Sequence, residues 1–346
     1  MEPLSRRHVL QLLGASGAGV AGASALVAPA GATTWRPAPG TDPGADPGTV
    51  LAGDPATDPA TDPGTELGTE LGTDPGVEAA LAGVVPLIGM STPARQWATR
   101  SAEVGAGLGA RRIFADLAGG PTSQLALVRA AHAAGQLPVV SYKAGGSIAD
   151  TLAGRYDDVA AEAAAQLAAL GKPTAVTFWH EPHGNMTPAQ YVAAQRRIVP
   201  ILQRGGATLR VGPLLNGFLL DRQVSTFAQY APAELLDLWD FFGIDTYESG
   251  TMSNPGAAKP APRIGAARTF LTQRGFATMP LGVGEYNGYS AQTITDTGNA
   301  LLGTSNVWFG CLWNSTGGKG VALSGDRLTA FRGTLAAARV RSGRRR

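Results

Sequence analysis

Two glutamates follow apolar runs at widely separated points of the chain. Glu181 belongs to the segment Phe178–Pro182, and Glu285 belongs to the segment Gly282–Asn287. A carboxylate at the end of an apolar strand is costly unless it is paired or open to a cleft. Two such carboxylates at one site can act as general acid/base and nucleophile, which is the equipment for double displacement at a glycosidic bond.

The elements that must position these glutamates recur along the chain from residue 84 onward. An apolar run, a loop and an Ala-rich amphipathic stretch alternate eight times. Runs that are almost continuously apolar predict parallel strands buried on both faces. The eight runs are Val84–Met90, Arg112–Ala115, Leu137–Tyr142, Ala175–Trp179, Leu209–Leu215, Phe241–Ile244, Leu281–Gly284 and Val307–Trp313.

Helical stretches are predicted between the runs. Thr187 and Gln190 form a capping-box pattern with Pro188 at the first helical position. Alternating strands and helices predict an α/β fold, and eight repeats match a (β/α)₈ TIM barrel. A doubly wound sheet is the alternative, but the glycine-rich segment Gly105–Gly109 follows a helix-like stretch and is a weak signal for it. The clearest helices are Thr122–Ala134, Asp157–Leu170, Pro188–Gln203, Pro262–Arg274 and Gln292–Leu302, with stops at Gly135, Gly171, Gly205 and Gly275.

The predicted barrel places both glutamates at one mouth. Functional groups of such barrels lie at the carboxyl ends of the strands. Glu181 ends the fourth run and Glu285 ends the seventh. We therefore expect the two carboxylates to approach one substrate from different sides.

Glutamates at the ends of strands four and seven resemble the clan of barrel glycosidases that retain anomeric configuration. The triplet Trp179-His180-Glu181 is most similar to family 26 glycoside hydrolases, whose members are mainly β-mannanases. The resemblance covers roughly residues 84–335. It implies that Glu181 is the general acid/base and Glu285 the nucleophile, with β-mannan as the first substrate to consider.

The resemblance also implies roles for three further residues. Tyr247, at the end of the sixth run, would donate a hydrogen bond to the nucleophile. Trp313, at the end of the eighth run, would form a platform under the sugar. His180 would orient the nucleophile or bind a sugar hydroxyl.

Other polar residues at strand ends are candidates with an open alternative. Asp116 and Asn216 could bind sugar hydroxyls or cap loops. Lys143 could bind an acidic sugar or form a structural ion pair. Glu248 competes as a catalytic carboxylate but lies four residues past the sixth run. Trp97 lies on the first predicted helix and is interpreted as core rather than subsite.

The residue types give no sign of metal or cofactor chemistry. No His, Asp or Glu cluster has ligand spacing, and His132 and His183 stand apart from such patterns. No Gly-x-Ser-x-Gly elbow is present. The single cysteine, Cys311, lies in an apolar run and is predicted to be a buried, inert thiol. We expect no metal, no cofactor, a polysaccharide partner, no nucleic-acid partner and a monomer.

The N-terminal segments predict export. Residues 1–32 combine paired arginines, an apolar run and small residues, as in a twin-arginine signal peptide; a membrane anchor is the alternative. Residues 33–78 are rich in Pro and Gly with nine acids, which predicts a disordered linker. The catalytic domain is expected at 79–338 and a basic disordered tail at 339–346. The protein would be secreted, with membrane contact only during export.

Two other functions remain open at this point. The barrel could bind cell-wall glycan without cleaving it. It could also hydrolyse an unusual bacterial wall polymer, with Lys143 binding an acidic group.

Overall fold

The computed structural model describes residues 85–145, 147–317 and 322–343. The predicted signal peptide and linker, residues 1–78, lie outside the described residues. None of the helices in the described ranges is long and apolar enough to span a bilayer.

The described residues form one curled sheet of nine parallel strands, in the order β5-β4-β3-β2-β1-β9-β8-β7-β6. Seven of the eight predicted runs each correspond to one strand. The strands are β1 (Leu87–Ser91), β2 (Ala110–Asp116), β3 (Leu137–Lys143), β4 (Thr174–Phe178), β5 (Leu209–Val211), β6 (Leu215–Asn216), β7 (Phe242–Tyr247), β8 (Leu281–Asn287) and β9 (Val307–Trp313).

The fifth run is divided, so the prediction of a single strand from Leu209 to Leu215 is wrong. The backbone leaves the strand at Gly212, whose N–H donates to Val176 O at 3.0 Å. A Cβ at Gly212 would lie 2.1 Å from Phe241 O. Only glycine allows this close approach between the fifth and sixth runs. Because β5 and β6 belong to the same run and end the sheet on opposite sides, the sheet curls into the predicted (β/α)₈ barrel.

Helices connect the strands, and all five predicted helices are present. The helix Pro188–Gln203 matches its predicted bounds and begins with the predicted capping box of Thr187 and Gln190. The α-helices are α1 (Trp97–Val104), α2 (Leu125–Ala133), α3 (Ile148–Leu152), α4 (Asp157–Ala168), α5 (Pro188–Gln203), α6 (Leu219–Arg222), α7 (Val224–Tyr230), α8 (Ala233–Leu236), α9 (Pro260–Thr272), α10 (Ala291–Gly303) and α11 (Gly325–Gly343).

The C-terminal helix corrects one predicted boundary. Helix α11 continues to Gly343, so the disordered tail predicted from residue 339 is wrong as far as residue 343. Leu335 and Ala338 are buried, and the Arg341 guanidinium donates to Leu302 O. These contacts extend the helix beyond the expected end. Residues 344–346 lie outside the described residues.

Apolar side chains fill the inside of the barrel as well as the space between strands and helices. The inner cluster joins residues from strands all around the sheet, including Ala110, Val139, Ala175 and Phe309. Cys311 belongs to this cluster and is fully buried, as predicted. The filled interior makes the barrel a solid support for the side chains at its mouth.

Candidate active site

A sharp backbone turn presents Glu181 at the end of the fourth strand. Strand β4 ends at Phe178, so Glu181 lies three residues past it. Trp179 and Glu181 have φ angles of 58° and 51°, in the left-handed region that non-glycine residues avoid. The Trp179 N–H donates to Tyr142 O at 2.7 Å, and the Glu181 N–H donates to Leu214 O at 2.8 Å. Bonds to both flanking segments hold the strained turn, as is common at functional sites.

Glu285 lies inside strand β8, which corresponds to the seventh predicted run. The prediction placed it after the end of that strand, and the structure corrects this position. Strand β8 continues to Asn287. Its register against β7 shifts between the pair Ile244–Val283 and the pair Asp245–Glu285. The extra residue in this bulge is Gly284. A Cβ there would lie 2.2 Å from Arg112 Nη1 and 2.5 Å from Asp245 Oδ1. The bulge therefore aims Glu285 into the site while the glycine leaves space for two charged side chains.

Two hydrogen-bond donors and one guanidinium surround the Glu285 carboxylate. The Tyr247 hydroxyl donates to Oε2, in agreement with the predicted contact. The Ser91 hydroxyl donates to Oε1 at 3.2 Å, and Arg112 Nη1 lies 3.8 Å from the same oxygen. The two hydrogen bonds and the positive charge of Arg112 all stabilise the ionised carboxylate. This arrangement suits a nucleophile that must be negatively charged.

A buried ion pair supports this carboxylate from below. Arg112 Nη1 donates to Asp245 Oδ1 at 2.8 Å, and both side chains are inaccessible to solvent. Burial lowers the pKa of Arg112, but attraction to Asp245 and Glu285 outweighs burial and raises that pKa above its ordinary value. The guanidinium therefore stays charged between two carboxylates.

The two glutamates differ in their proton affinity. Burial, followed by the charges of Asp245 and Glu285, raises the pKa of Glu181 to about 8. Burial also raises the pKa of Glu285, to about 7, although Arg112, Tyr247 and Ser91 oppose the shift. Among the residues described, no side chain donates a hydrogen bond to the Glu181 carboxylate. The hydrogen bonds and the guanidinium therefore favour ionisation of Glu285 before Glu181.

His180 is held as a neutral ring. Its Nδ1 lies 2.6 Å from Ser141 Oγ, which also accepts a bond from Arg112 Nη2 at 3.5 Å. Burial, Lys143 and Arg112 lower the pKa of His180 well below its ordinary value. Because Arg112 donates to Ser141, the serine hydrogen can point at Nδ1 and leave the ring proton on Nε2. A neutral His180 offers that N–H to a substrate hydroxyl.

Aromatic rings form one wall of the mouth. Trp313, the last residue of β9, is partly exposed, as a sugar platform requires. Phe114 packs edge-on against Trp313 with ring centres 6.1 Å apart and against His180 at 5.6 Å. Phe114 was not predicted as a site residue, because it lies within the apolar second run. Its position next to two predicted residues is the only sign of its role.

Two predicted sugar-binding residues have structural partners. Asp116 Oδ1 accepts from Ala118 N at 2.9 Å and Gly145 N at 2.7 Å. Asn216 Oδ1 accepts from His183 N at 2.9 Å. Both oxygens hold loops at the carboxyl ends of the strands, which favours the capping alternative. The amide nitrogen of Asn216 is not used by this contact.

Lys143 ends strand β3 at the mouth. Its Nζ lies 6.0 Å from the centre of the Trp179 ring. No carboxylate of the described residues lies within salt-bridge distance of it, so the structure contains no support for the ion-pair alternative. Burial lowers the pKa of Lys143, while the Glu181 carboxylate opposes that shift. The lysine therefore adds positive potential beside the acid/base candidate.

Glu248 and Trp97 lie outside this arrangement. The buried Glu248 carboxylate pairs with Lys259 and accepts from Tyr289 N at 2.7 Å. These contacts give Glu248 a structural role and remove the competing carboxylate. The Trp97 ring packs against the core and against Arg111, away from the mouth.

Metal ligation has no candidate in this site. Within the described ranges, no group of three or more His, Cys, Asp or Glu side chains could hold a metal ion. The site consists of carboxylates, hydroxyls, one imidazole, one ammonium group, one guanidinium and aromatic rings. Such groups can perform acid–base and nucleophilic chemistry on a polar, uncharged substrate.

Comparisons with known proteins identify the fold. No protein-family model and no curated protein matches the chain. Among solved structures it is similar to an endo-β-1,4-glucanase of Xanthomonas axonopodis pv. citri, at 13% identity and a TM-score of 0.54 over 73% of this chain and 99% of that one. It is also similar to a Cellulomonas fimi endo-β-1,4-mannanase, at 18% identity and a TM-score of 0.53 over 75% and 72% of the two chains.

A third similar structure is a family 39 glycoside hydrolase from the gut symbiont Bacteroides cellulosilyticus. It is 13% identical, with a TM-score of 0.51 over 73% of this chain, and the match spans 63% of that protein. At these identities the shared property is the (β/α)₈ fold. The similarity to family 26 in particular stays a prediction.

Proposed function

We propose that the protein is a retaining glycoside hydrolase that cleaves a β-linked polysaccharide by double displacement. The observation that carries the proposal is the unequal environment of two carboxylates at one barrel mouth. Glu285 accepts two side-chain hydrogen bonds and faces one guanidinium, whereas no described side chain donates a hydrogen bond to the Glu181 carboxylate. The resemblance of the triplet around Glu181 and the glycosidase fold point to the same chemistry.

In the first step the Glu285 carboxylate attacks the anomeric carbon. Glu181 gives its proton to the departing glycosidic oxygen, so the leaving chain departs as a neutral alcohol and the sugar becomes an ester of Glu285. A pKa raised to about 8 keeps Glu181 protonated at neutral pH. Tyr247, Ser91 and Arg112 stabilise the charge of the attacking oxygen.

In the second step water cleaves the ester. Glu285 has lost its negative charge in the ester, so its part in raising the pKa of Glu181, which is smaller than the parts of burial and Asp245, is removed. The ionised Glu181 then removes a proton from the attacking water, and Glu285 leaves as a carboxylate. Two inversions at the anomeric carbon give net retention, and the mechanism requires carboxyl groups about 5–5.5 Å apart.

The two roles can be distinguished by replacing each glutamate with alanine. On an aryl β-glycoside with a good leaving group, Glu285→Ala should lose at least about 10⁴-fold in kcat, because the covalent step is removed. Azide can enter the space left by the nucleophile and should restore turnover with an α-glycosyl azide as product. Glu181→Ala with azide should instead give the β-glycosyl azide, because the glycosyl ester still forms.

The control is Glu162→Ala, which changes an exposed glutamate of α4. Its kcat should equal that of the wild type. Proton NMR of the first product anomer should show the β form. An α product would indicate inversion, and full activity of Glu285→Ala would reject the assignment. Binding of β-glycans without release of reducing ends would favour the glycan-binding barrel instead.

The substrate and the location that we propose are more specific than the fold similarity alone can show. Mannan is the first member of the substrate panel, followed by β-glucans and xyloglucan. An acidic wall fraction belongs to the panel because Lys143 lies free of ion pairs within the described mouth. Export by the twin-arginine route is proposed from residues 1–32, and Arg6→Lys with Arg7→Lys should keep the protein in the cell.

A further inference from the structure

Arg111 and Arg112 are adjacent on β2 and point to opposite faces of the strand, as strand geometry requires. Arg112 points into the barrel and pairs with Asp245. Arg111 points outward, where its guanidinium stacks on Trp97 at 4.1 Å from the ring centre. Only 6% of its surface is exposed. No hydrogen-bond acceptor or carboxylate of the described residues partners it.

An arginine this deeply buried normally has a carboxylate or carbonyl partner, because desolvating a charge is costly. The Trp97 ring offsets part of this cost through cation–π attraction. The ring covers one face of the guanidinium but gives the N–H groups along the edge of Arg111 no acceptor. Burial lowers the pKa of Arg111 only to about 10, so the group is still positively charged at neutral pH.

The free edge of Arg111 lines a groove of about 450 Å³ on the outside of the barrel. The loop from Gly105 to Leu108 forms one side, and Gln136 and Ser101 add polar atoms. Gly105 and Gly107 have φ angles of 85° and 106°, so the loop depends on glycine. This glycine-rich segment has no role in the barrel mouth. The groove has the size of a small-molecule site.

A second guanidinium approaches the same loop. A Cβ on Gly107 would lie 3.1 Å from Arg339 Cζ, which places the Arg339 side chain directly over this glycine. Arg332 donates to Val104 O at 3.2 Å at the end of α1. Glu103, the nearby acid, is paired with Arg100 at 2.7 Å. The potential around the groove is therefore positive.

We propose that this groove binds a small organic anion, whose carboxylate or phosphate is held by Arg111 and whose ring-sized body lies along Trp97 and Leu108. A planar guanidinium matches these anions with two parallel hydrogen bonds. Arg339 adds attraction at the rim. The site is separate from the barrel mouth and does not depend on the proposed glycosidase activity.

The test is a calorimetric titration of the full chain at fixed ionic strength. The probes are glucuronate, glucose 6-phosphate and benzoate, with glucose and inorganic phosphate as matched controls. We expect saturable binding of at least one ring-bearing anion, no binding of glucose, and weaker binding of phosphate alone. Glucuronate and benzoate distinguish a sugar acid from an apolar acid.

Arg111→Gln should weaken binding at least about tenfold, since it removes a charge-assisted hydrogen-bond pair. The matched control is Arg274→Gln, because Arg274 also stacks on a ring, that of Phe270 at 3.6 Å, but has a carbonyl acceptor. That variant should bind normally. Circular dichroism verifies folding.

Ser101→Phe provides a second variant that leaves Arg111 intact. A phenylalanine at this position on α1 should fill the groove and abolish binding. Absence of binding by all three ring-bearing anions would overturn the proposal. Equal binding by glucose or by inorganic phosphate, or unchanged affinity in Arg111→Gln, would overturn it as well.

Discussion

At the scale of single residues, the surrounding groups distinguish two glutamates, Glu181 and Glu285, that would otherwise be chemically alike. Tyr247, Ser91 and Arg112 all act on Glu285, and no side chain in the described part of the chain donates a hydrogen bond to the Glu181 carboxylate. The pKa values of about 7 for Glu285 and about 8 for Glu181 belong to a coupled pair. Activity requires Glu285 ionised and Glu181 protonated, so we expect a bell-shaped profile of kcat/KM between these values.

Replacement of Tyr247 by phenylalanine tests this division. Removing the hydroxyl takes away a donor that stabilises the ionised Glu285, so the pKa of Glu285 should rise further. The acidic limb of the kcat/KM profile should therefore move to higher pH, and kcat should fall about 10- to 100-fold, as expected for a hydrogen bond to a charged group. Rates measured over a pH series would show both effects.

The control for this change is Tyr289→Phe, because the Tyr289 hydroxyl donates to Gly250 O at 2.7 Å outside the site. Its profile should match that of the wild type. A Tyr247→Phe profile with an unmoved acidic limb would show that the tyrosine does not set the ionisation of the nucleophile.

The residues of this site differ in how visible they are in the sequence. Glu181 and Glu285 stand out because a charge next to an apolar run is unusual. Arg112 and Asp245 are equally important to the charge balance, but each lies inside a run predicted as a buried strand or at its margin. Their pairing depends on which strands face each other across the barrel. The spacing of the apolar runs along the sequence does not determine which strands do so.

At the scale of elements, the bulge in β8 determines where Glu285 points. A regular strand would place successive side chains on alternate faces. The register shift at Gly284 adds one residue and leaves room for the Arg112–Asp245 pair. The prediction placed Glu285 correctly near the mouth but missed the bulge, since a glycine in an apolar run has no unique interpretation.

Gly284→Ala should therefore damage the fold and the site together. The new methyl group would overlap Arg112 Nη1 at 2.2 Å and Asp245 Oδ1 at 2.5 Å, so the buried pair must separate. Breaking such a pair costs about 3–5 kcal/mol. We expect a loss of unfolding free energy of this order in urea titrations, together with loss of activity.

Gly265→Ala is the matched control. Gly265 lies inside α9, and a Cβ there meets nothing within 4 Å. Alanine is the better helix former, so this variant should be more stable by about 0.5–1 kcal/mol. A Gly284→Ala protein as stable as the wild type would show that the bulge can relax without separating the ion pair.

Three of the helices missing from the prediction have a common reason. Helices α6, α7 and α8 are all short, and they follow the break that divides the fifth run. Short helices have weak periodicity, and the break at Gly212 depends on a close approach to Phe241 O. Long amphipathic helices such as α5 were predicted well because their caps and apolar faces are local properties of the sequence.

At the scale of the whole molecule, barrel closure concentrates like charges. The fold brings Glu181, Glu285 and Asp245 into one partly dry region with Arg112 and Lys143 as the facing cations. Burial raises the pKa values of all three carboxyl groups, and repulsion by neighbouring carboxylates adds to the upward shifts of Glu181 and Glu285. The arrangement suits the proposed mechanism, and it should lower stability when the pH rises.

The pH dependence of stability follows from the sign of the Glu181 shift. The pKa of Glu181 rises from 4.5 to about 8 on folding. Between these values the folded protein holds a proton that the unfolded chain releases, so this group's contribution is complete below 4.5 and is lost as the pH passes 8. Gln at this position cannot ionise and resembles the protonated acid.

Glu181→Gln should therefore be inactive but increasingly more stable than the wild type as the pH rises. The difference in Tm between variant and wild type should be small at pH 5 and should grow through pH 8.5, as measured by calorimetry in buffers of equal ionic strength. Glu162→Gln, an exposed change on α4, should show no such growth. A constant or shrinking Tm difference for Glu181→Gln would mean that Glu181 is already ionised in the folded protein at neutral pH, and it could not then be the proton donor of the first step.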